Sequence, residues 1–100
     1  MEAKYKKMLS KMQADESDEQ WFLYILRCHN GSLYTGVTNN LERRIKMHQE
    51  GKAAKYTRTR RPIELVYSES CLGRKEALVR ECQIKEYSKK KKEELVFKLT

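Results

Sequence analysis

The stretch WFLYILRCHNGSLYTGVTNNLERRIKMHQEG, from Trp21 to Gly51, decides how the rest of the chain must fold. Its first run, Trp21 to Cys28, is aromatic and branched, and its second, Ser32 to Thr38, mixes Leu, Tyr, Thr and Val, so both suit pleated, half-buried strands. Between them His29-Asn30-Gly31 signals a hairpin turn. Parity then matters, because a one-residue slip moves every side chain to the other face. A two-residue loop at Asn30-Gly31 would put Tyr24 and Tyr34 on opposite faces. A three-residue loop with Gly31 in the left-handed conformation pairs Cys28 with Ser32 and brings both tyrosines onto one face; this reading places glycine where the backbone needs it. Gly36 follows inside the second strand, where a glycine marks close approach of a ligand or another backbone.

The same stretch ends in a punctuated helix. Asn39 is expected to cap it, Glu42 to complete a capping box and Gly51 to end it. Leu41, Ile45 and His48 recur at helical spacing with Arg44 on the same stripe, so one face offers a cation and an imidazole beside apolar anchors.

Downstream, KAAKYTRTRRP (Lys52 to Pro62) holds the densest basic cluster, Lys55, Arg58, Arg60 and Arg61, with Tyr56 interleaved. Phosphate contacts combined with aromatic stacking suit a nucleic-acid groove, against the plainer reading of a solvated loop whose tyrosine packs down. Ile63 to Ser68 alternates as a third strand, and Pro62 at its start is tolerated there. Gly73 to Tyr87 reads as a second helix whose Ala77, Leu78 and Ile84 share a stripe with Glu81. A carboxylate in such a stripe must find a cation, a metal or hydrogen bonds, since burying it alone costs several kcal/mol. An ion pair to Arg44 or another cation would satisfy it without any metal. Ser88 caps a last short helix, Lys89 to Phe97, anchored by Leu95 and Val96. The fold expected is α+β: a three-stranded antiparallel sheet flanked by helices, in the order β-β-α-β-α with a short C-terminal helix.

The chain upstream of this unit differs in character. Tyr5, Met8, Leu9 and Met12 give Lys4 to Gln13 an amphipathic stripe, for docking on the domain or on a protein partner, and Asp15 to Glu19 reads as an acidic linker. A mobile extension is the plainer alternative. The division expected is residues 1–20 as an extension and 21–97 as the domain.

Composition bounds the function. One hundred residues with 39% apolar and 36% charged side chains suit one domain with one modest core. No apolar run approaches the ~20 residues of a membrane span, and no signal-peptide stretch is seen, so a cytoplasmic protein with no membrane association is expected. Cys28, Cys71 and Cys82 lack zinc-site spacing and read as reduced, mostly half-buried thiols. The formal net charge is +8, and residues 21–100 carry eighteen cations against nine acids, which favours phosphate backbones as partners.

Phe22-Leu23-Tyr24, Tyr34-Thr35-Gly36 and LERRIKMH at 41–48, followed by GKAAKYTRTRRPIELVY and EALVRECQIK, together resemble the core of the GIY-YIG nuclease family in its small stand-alone bacterial branch, over roughly residues 21 to 96. The first triplet reads Phe-Leu-Tyr and the second has Thr35 where the family name has Ile, but both keep the tyrosine. The resemblance implies a divalent-metal-dependent DNA endonuclease, acting on branched or damaged DNA with RNA not excluded. Glu81 would hold a Mg²⁺ or Mn²⁺, and Arg44 would neutralise the pentavalent phosphate. Tyr24 would help deprotonate water with Tyr34 beside it, and His48 would transfer a proton or bind phosphate. Products would carry 5′-phosphate and 3′-hydroxyl ends. Some members also carry an asparagine near the C-terminus, whereas residues 82–100 here contain none. The alternatives are a nucleic-acid-binding module of the same fold with little catalysis and a nuclease subunit that depends on a partner.

Overall fold

A computed structural model describes residues 20–98, so the expected helix at 4–13 and linker at 15–19 lie outside the described residues. Strand β1 (Gln20–Arg27) turns into β2 (Leu33–Thr38), and the register pairs Tyr24 with Gly36 and Arg27 with Leu33. The turn is the three-residue one: Cys28 N–H donates to Ser32 O at 2.9 Å, and Gly31 takes φ +88°, a conformation that glycine adopts without a Cβ penalty. Helix α1 (Leu41–Gln49) follows, then a single helical turn α2 (Lys55–Arg58), strand β3 (Glu64–Leu72), and helices α3 (Gly73–Lys85) and α4 (Lys89–Phe97). The sheet is antiparallel with order β2-β1-β3, which leaves β1 central and paired on both sides.

Alternation along β1 splits the interior into two layers. Leu23 and Ile25 face α3 and α4, where they join Cys71, Ala77, Ile84 and Val96. Tyr24, Leu26 and Cys28 face the other way and pack with Ile63, Tyr34 and, from α1, Leu41 and Ile45. Each fully buried Leu or Ile contributes roughly 1.5–3 kcal/mol relative to exposure. A register shift between Ile25 and Leu26 bends β3 at its lower end. At the hairpin end, Arg27 grips Glu93 through bonds of 2.7 and 2.9 Å, and Lys89 donates to Gly31 O at 2.9 Å, so α4 is fastened to the turn. Arg80 likewise ties α3 to β3 through Glu69, at 2.8 and 3.1 Å.

Local punctuation departs from the sequence reading at four places. The cap of α1 is Asn40, not Asn39: Asn40 is extended and its side chain accepts from Arg43 N at 3.1 Å, which puts Glu42 at the second helical position, outside any capping box. Gly51 does end the helix at φ +78°, with its N–H on His48 O and that of Lys52 on Met47 O. Strand β3 continues through Ser70, Cys71 and Leu72, because Gln20 to Phe22 of β1 offer partners there. Helix α3 stops at Lys85, two residues before the expected end. Cys82 points outward and is exposed, whereas Cys28 and Cys71 are buried.

Candidate active site

The site is built on a missing side chain. A Cβ added at Gly36 would lie 2.5 Å from Tyr24 Oη and 2.7 Å from its Cζ, so the phenol of the central strand fills the space that a side chain on the edge strand would take. Any larger residue at 36 would displace the ring. From there Tyr24 Oη meets His48 Nε2 at 2.9 Å. His48 comes from the last turn of α1 and is 1% exposed.

The other imidazole nitrogen sets the tautomer. His48 Nδ1 lies 2.8 Å from Thr57 Oγ1, and the Thr57 hydroxyl donates to Ala54 O at 3.2 Å. With that proton committed, Thr57 Oγ1 can only accept from His48, so Nδ1 carries the hydrogen and Nε2 is left to accept the Tyr24 proton. Burial, followed by the Arg44 charge, depresses the His48 pKa from 6.5 to about 4, which keeps the ring neutral near pH 7. Thr57 is fully buried and was not among the residues singled out from sequence. A threonine in a basic run gives no periodic signal, and α2 is too short to show one.

Three further charges or hydroxyls converge on this pair. Burial raises the Tyr24 pKa above the ordinary phenol value; Tyr34 adds to the rise, Arg44 opposes it and Glu81 reinforces it. All three therefore lie within electrostatic reach of Tyr24 Oη, although Glu81 comes from α3 on the opposite side of the sheet. The net direction is upward: Arg44 lowers the Tyr24 pKa, but burial outweighs it, so Tyr24 here is a proton donor and not a phenolate. Tyr34 sets its ring edge against His48 at 5.3 Å and 61°.

Glu81 keeps 19% side-chain exposure and pairs with Lys85 at 3.1 Å, one turn along α3. Among the described residues no three His, Cys, Asp or Glu side chains gather as a preformed metal cage. One partly exposed carboxylate suits Mg²⁺ or Mn²⁺ that takes its remaining oxygens from water and a substrate phosphate. The residues thus fit an ion held jointly with nucleic acid, once Lys85 yields.

The basic loop divides into engaged and open cations. Lys55 and Arg58 are exposed and make no ion pair among the described residues. Arg61 donates to Arg58 O at 3.1 Å and Gln49 O at 3.3 Å, joining α2 to the end of α1. Arg60 donates to Tyr56 O at 2.9 Å, and its own carbonyl accepts from His29 N at 2.9 Å, which ties this loop to the hairpin. Tyr56 does not offer an open face: its ring stacks on Tyr34 at 5.9 Å and 25°, and the Arg60 guanidinium covers it at 3.8 Å. The loop coils into α2 to make this contact, and Tyr56 stays 38% exposed.

Among the described residues no helix is long and apolar enough to cross a membrane. A family model described as the GIY-YIG catalytic domain matches residues 20–94. A UPF0213 protein of Oceanobacillus iheyensis is 49% identical over 79 residues, covering 79% of this chain and 92% of that protein. The solution structure of a UPF0213 protein from Bacillus halodurans is similar with a TM-score of 0.51 at 47% identity, covering 77% of this chain and 82% of its own. That of a protein from E. faecalis gives 0.56 at 34% identity, covering 84% and 90%.

Proposed function

The chain belongs to the GIY-YIG family of nuclease catalytic domains, and from that membership we propose that it is a divalent-metal-dependent endonuclease cutting branched or damaged DNA. Residues 21–97 form the catalytic unit in this reading and 1–20 an extension. The observation that carries it is the convergence on one phenol: Tyr24 bonds His48 while feeling Tyr34, Arg44 and Glu81.

Hydrolysis joins a water oxygen to phosphorus and breaks the bond to the 3′ oxygen, which takes up a proton from solvent, leaving 5′-phosphate and 3′-hydroxyl ends. The attacking water must lose a proton. Tyr24 takes that proton on its phenol oxygen as it passes its own to His48 Nε2, so no free phenolate forms and the imidazole becomes the proton store. Thr57 fixes His48 in the tautomer that can receive it. Tyr34 borders the same imidazole, and Arg44 sets a permanent planar cation against the developing phosphate charge. Glu81 would hold the divalent ion, which when bound would supply Lewis-acid stabilisation of the developing phosphate charge. Lys55 and Arg58 hold the flanking backbone.

Nuclease assays on branched and linear DNA with Mg²⁺ or Mn²⁺ test this, with RNA of the same sequence as competitor. Arg44→Ala and Glu81→Ala are each expected to lower the rate about 10²–10³-fold while binding persists. Equal trace cleavage by wild type and both variants overturns it. A second reading, a binding module with little catalysis, draws on the Glu81 to Lys85 pair, which occupies the carboxylate a metal would need. Salt-dependent binding without cleavage is its signature.

A further inference from the structure

Three planar groups and a cation form one column beside the candidate active site. The His48 ring meets Tyr34 edge-on, Tyr34 stacks on Tyr56, and the Arg60 guanidinium lies over the outer face of Tyr56. The column is fixed at both ends. His48 is held by Tyr24 and Thr57, and Arg60 is held through its side chain on Tyr56 O and Thr59 Oγ1 and through its carbonyl on His29 N.

From this we infer that the Arg60 guanidinium, backed by Tyr56 and Tyr34, is the stacking platform for an unpaired nucleobase next to the phosphate being cut. The inference rests on the nuclease reading of the Tyr24 cluster and adds the contact by which an unpaired base would be held. Three features carry it. The guanidinium is only partly exposed and bonds in its own plane, so its orientation is fixed before any base arrives, which cuts the ordering cost of binding. A planar, weakly hydrated cation stacks on any base, and stacking is tolerant of sequence. The two spacings, 5.9 and 3.8 Å, put the guanidinium no more than about 10 Å from the Tyr34 ring, the span of about three nucleotides at ~3.4 Å each. A base still paired inside a duplex cannot present its face; an unpaired one at a flap, fork or lesion can. The open cations Lys55 and Arg58 flank the column on α2, where the backbone leading to that base would run.

The test uses the full chain with a chelator present, so that no cleavage intervenes. Two DNA probes carry 2-aminopurine, a base analogue whose emission reports stacking: one unpaired beside a fork, one paired within a continuous duplex. Wild type is expected to bind the forked probe about tenfold more tightly and to quench only its emission. Arg60→Lys keeps the charge and loses the plane, so that preference should collapse while duplex affinity and its salt dependence stay within about twofold. Arg60→Gln keeps a planar amide and loses the charge, so the preference should survive while both affinities fall and the salt slope flattens by about one. Equal wild-type affinity for the two probes overturns the platform regardless of the variants, as does a tenfold preference retained by Arg60→Lys. Cleavage separates this from the parent reading. A forked preference in a chain that never cuts leaves the platform and removes the nuclease; equal cutting of paired and forked DNA by wild type, abolished by Glu81→Ala, does the reverse.

Discussion

The two sides of the sheet are cut from the same strands and both enclose apolar side chains, yet only one of them also encloses a fully buried chain of polar groups. Toward α3 and α4, Leu23, Ile25, Ala77 and Ile84 are wholly enclosed among apolar neighbours. Toward α1, Tyr24, His48 and Thr57 are enclosed as completely and are all polar. A buried polar atom without a partner costs about 1–3 kcal/mol, and the α1 side avoids that cost by chaining Tyr24 to His48, His48 to Thr57 and Thr57 to Ala54 O. The apolar side is the one that carries an orphan, Thr35 Oγ1, the buried side-chain oxygen with no partner among the described residues. Period-two alternation therefore separates stability from reactivity within a single strand. Residues 23 and 25 hold the fold, and residue 24 carries the proton in the mechanism proposed above.

That division is breakable by substitution. Tyr24→Phe should lower the cleavage rate by about 10²–10⁴-fold by removing the hydroxyl of the proposed proton relay, and should cost only about 1–3 kcal/mol in urea unfolding, from the His48 Nε2 it leaves without a partner. A variant that cuts as fast as wild type would return the role of base to another group. One position away, Leu23→Ala should do the opposite, costing about 2–5 kcal/mol in urea unfolding while the folded fraction keeps its turnover. Loss of turnover from fully folded Leu23→Ala protein would mean that the two sides are not separable.

A pH series sharpens the contrast. His48 titrates near 6.5 when unfolded and at about 4 in the fold, so between those values the unfolded chain binds the extra proton. Its neutral state supports stability fully above pH 6.5, and up to roughly 3 kcal/mol is lost as pH falls toward 4. His48→Gln should erase that slope. Glu93, held down to about 2 by its bonds from Arg27 and Lys89, acts only below the ordinary carboxylate value of 4.5 and leaves the range from 6.5 to 4.5 clear. An unchanged slope between pH 6.5 and 4.5 in His48→Gln would assign it elsewhere. The smallest effect is expected on the apolar side: Thr35→Val removes the orphan oxygen at constant shape and should raise stability by ~1 kcal/mol. A destabilised Thr35→Val would show that the hydroxyl is satisfied in solution.

How far the residues announced these roles varies with the length of the signal. The hairpin was legible because one glycine, Gly31, decides the parity, and parity alone places Tyr24 and Tyr34 together. The C-terminal helix was legible through Ser88, which accepts from Lys91 N at 3.1 Å. Asn39 and Asn40 are adjacent and chemically alike, so which of them caps α1 depends on where β2 releases the chain. A single helical turn such as α2 has no period to read, and the partnership of Thr57 with His48 nine residues earlier exists only after that turn forms. The stripe on α3 placed Glu81 between apolar neighbours, but that it would take Lys85 as its partner depended on rotamers that no spacing encodes.

The bare backbone at Gly36 has a consequence for timing. The Tyr24 ring is seated against the Gly36 backbone and its hydroxyl is tethered to His48, so the phenol is held at both its face and its tip. Nucleic acid would meet a geometry already assembled, and adjustment would fall on the incoming strand. Substrates pliable enough to conform would then be favoured over rigid ones, a selectivity arising from stiffness alone.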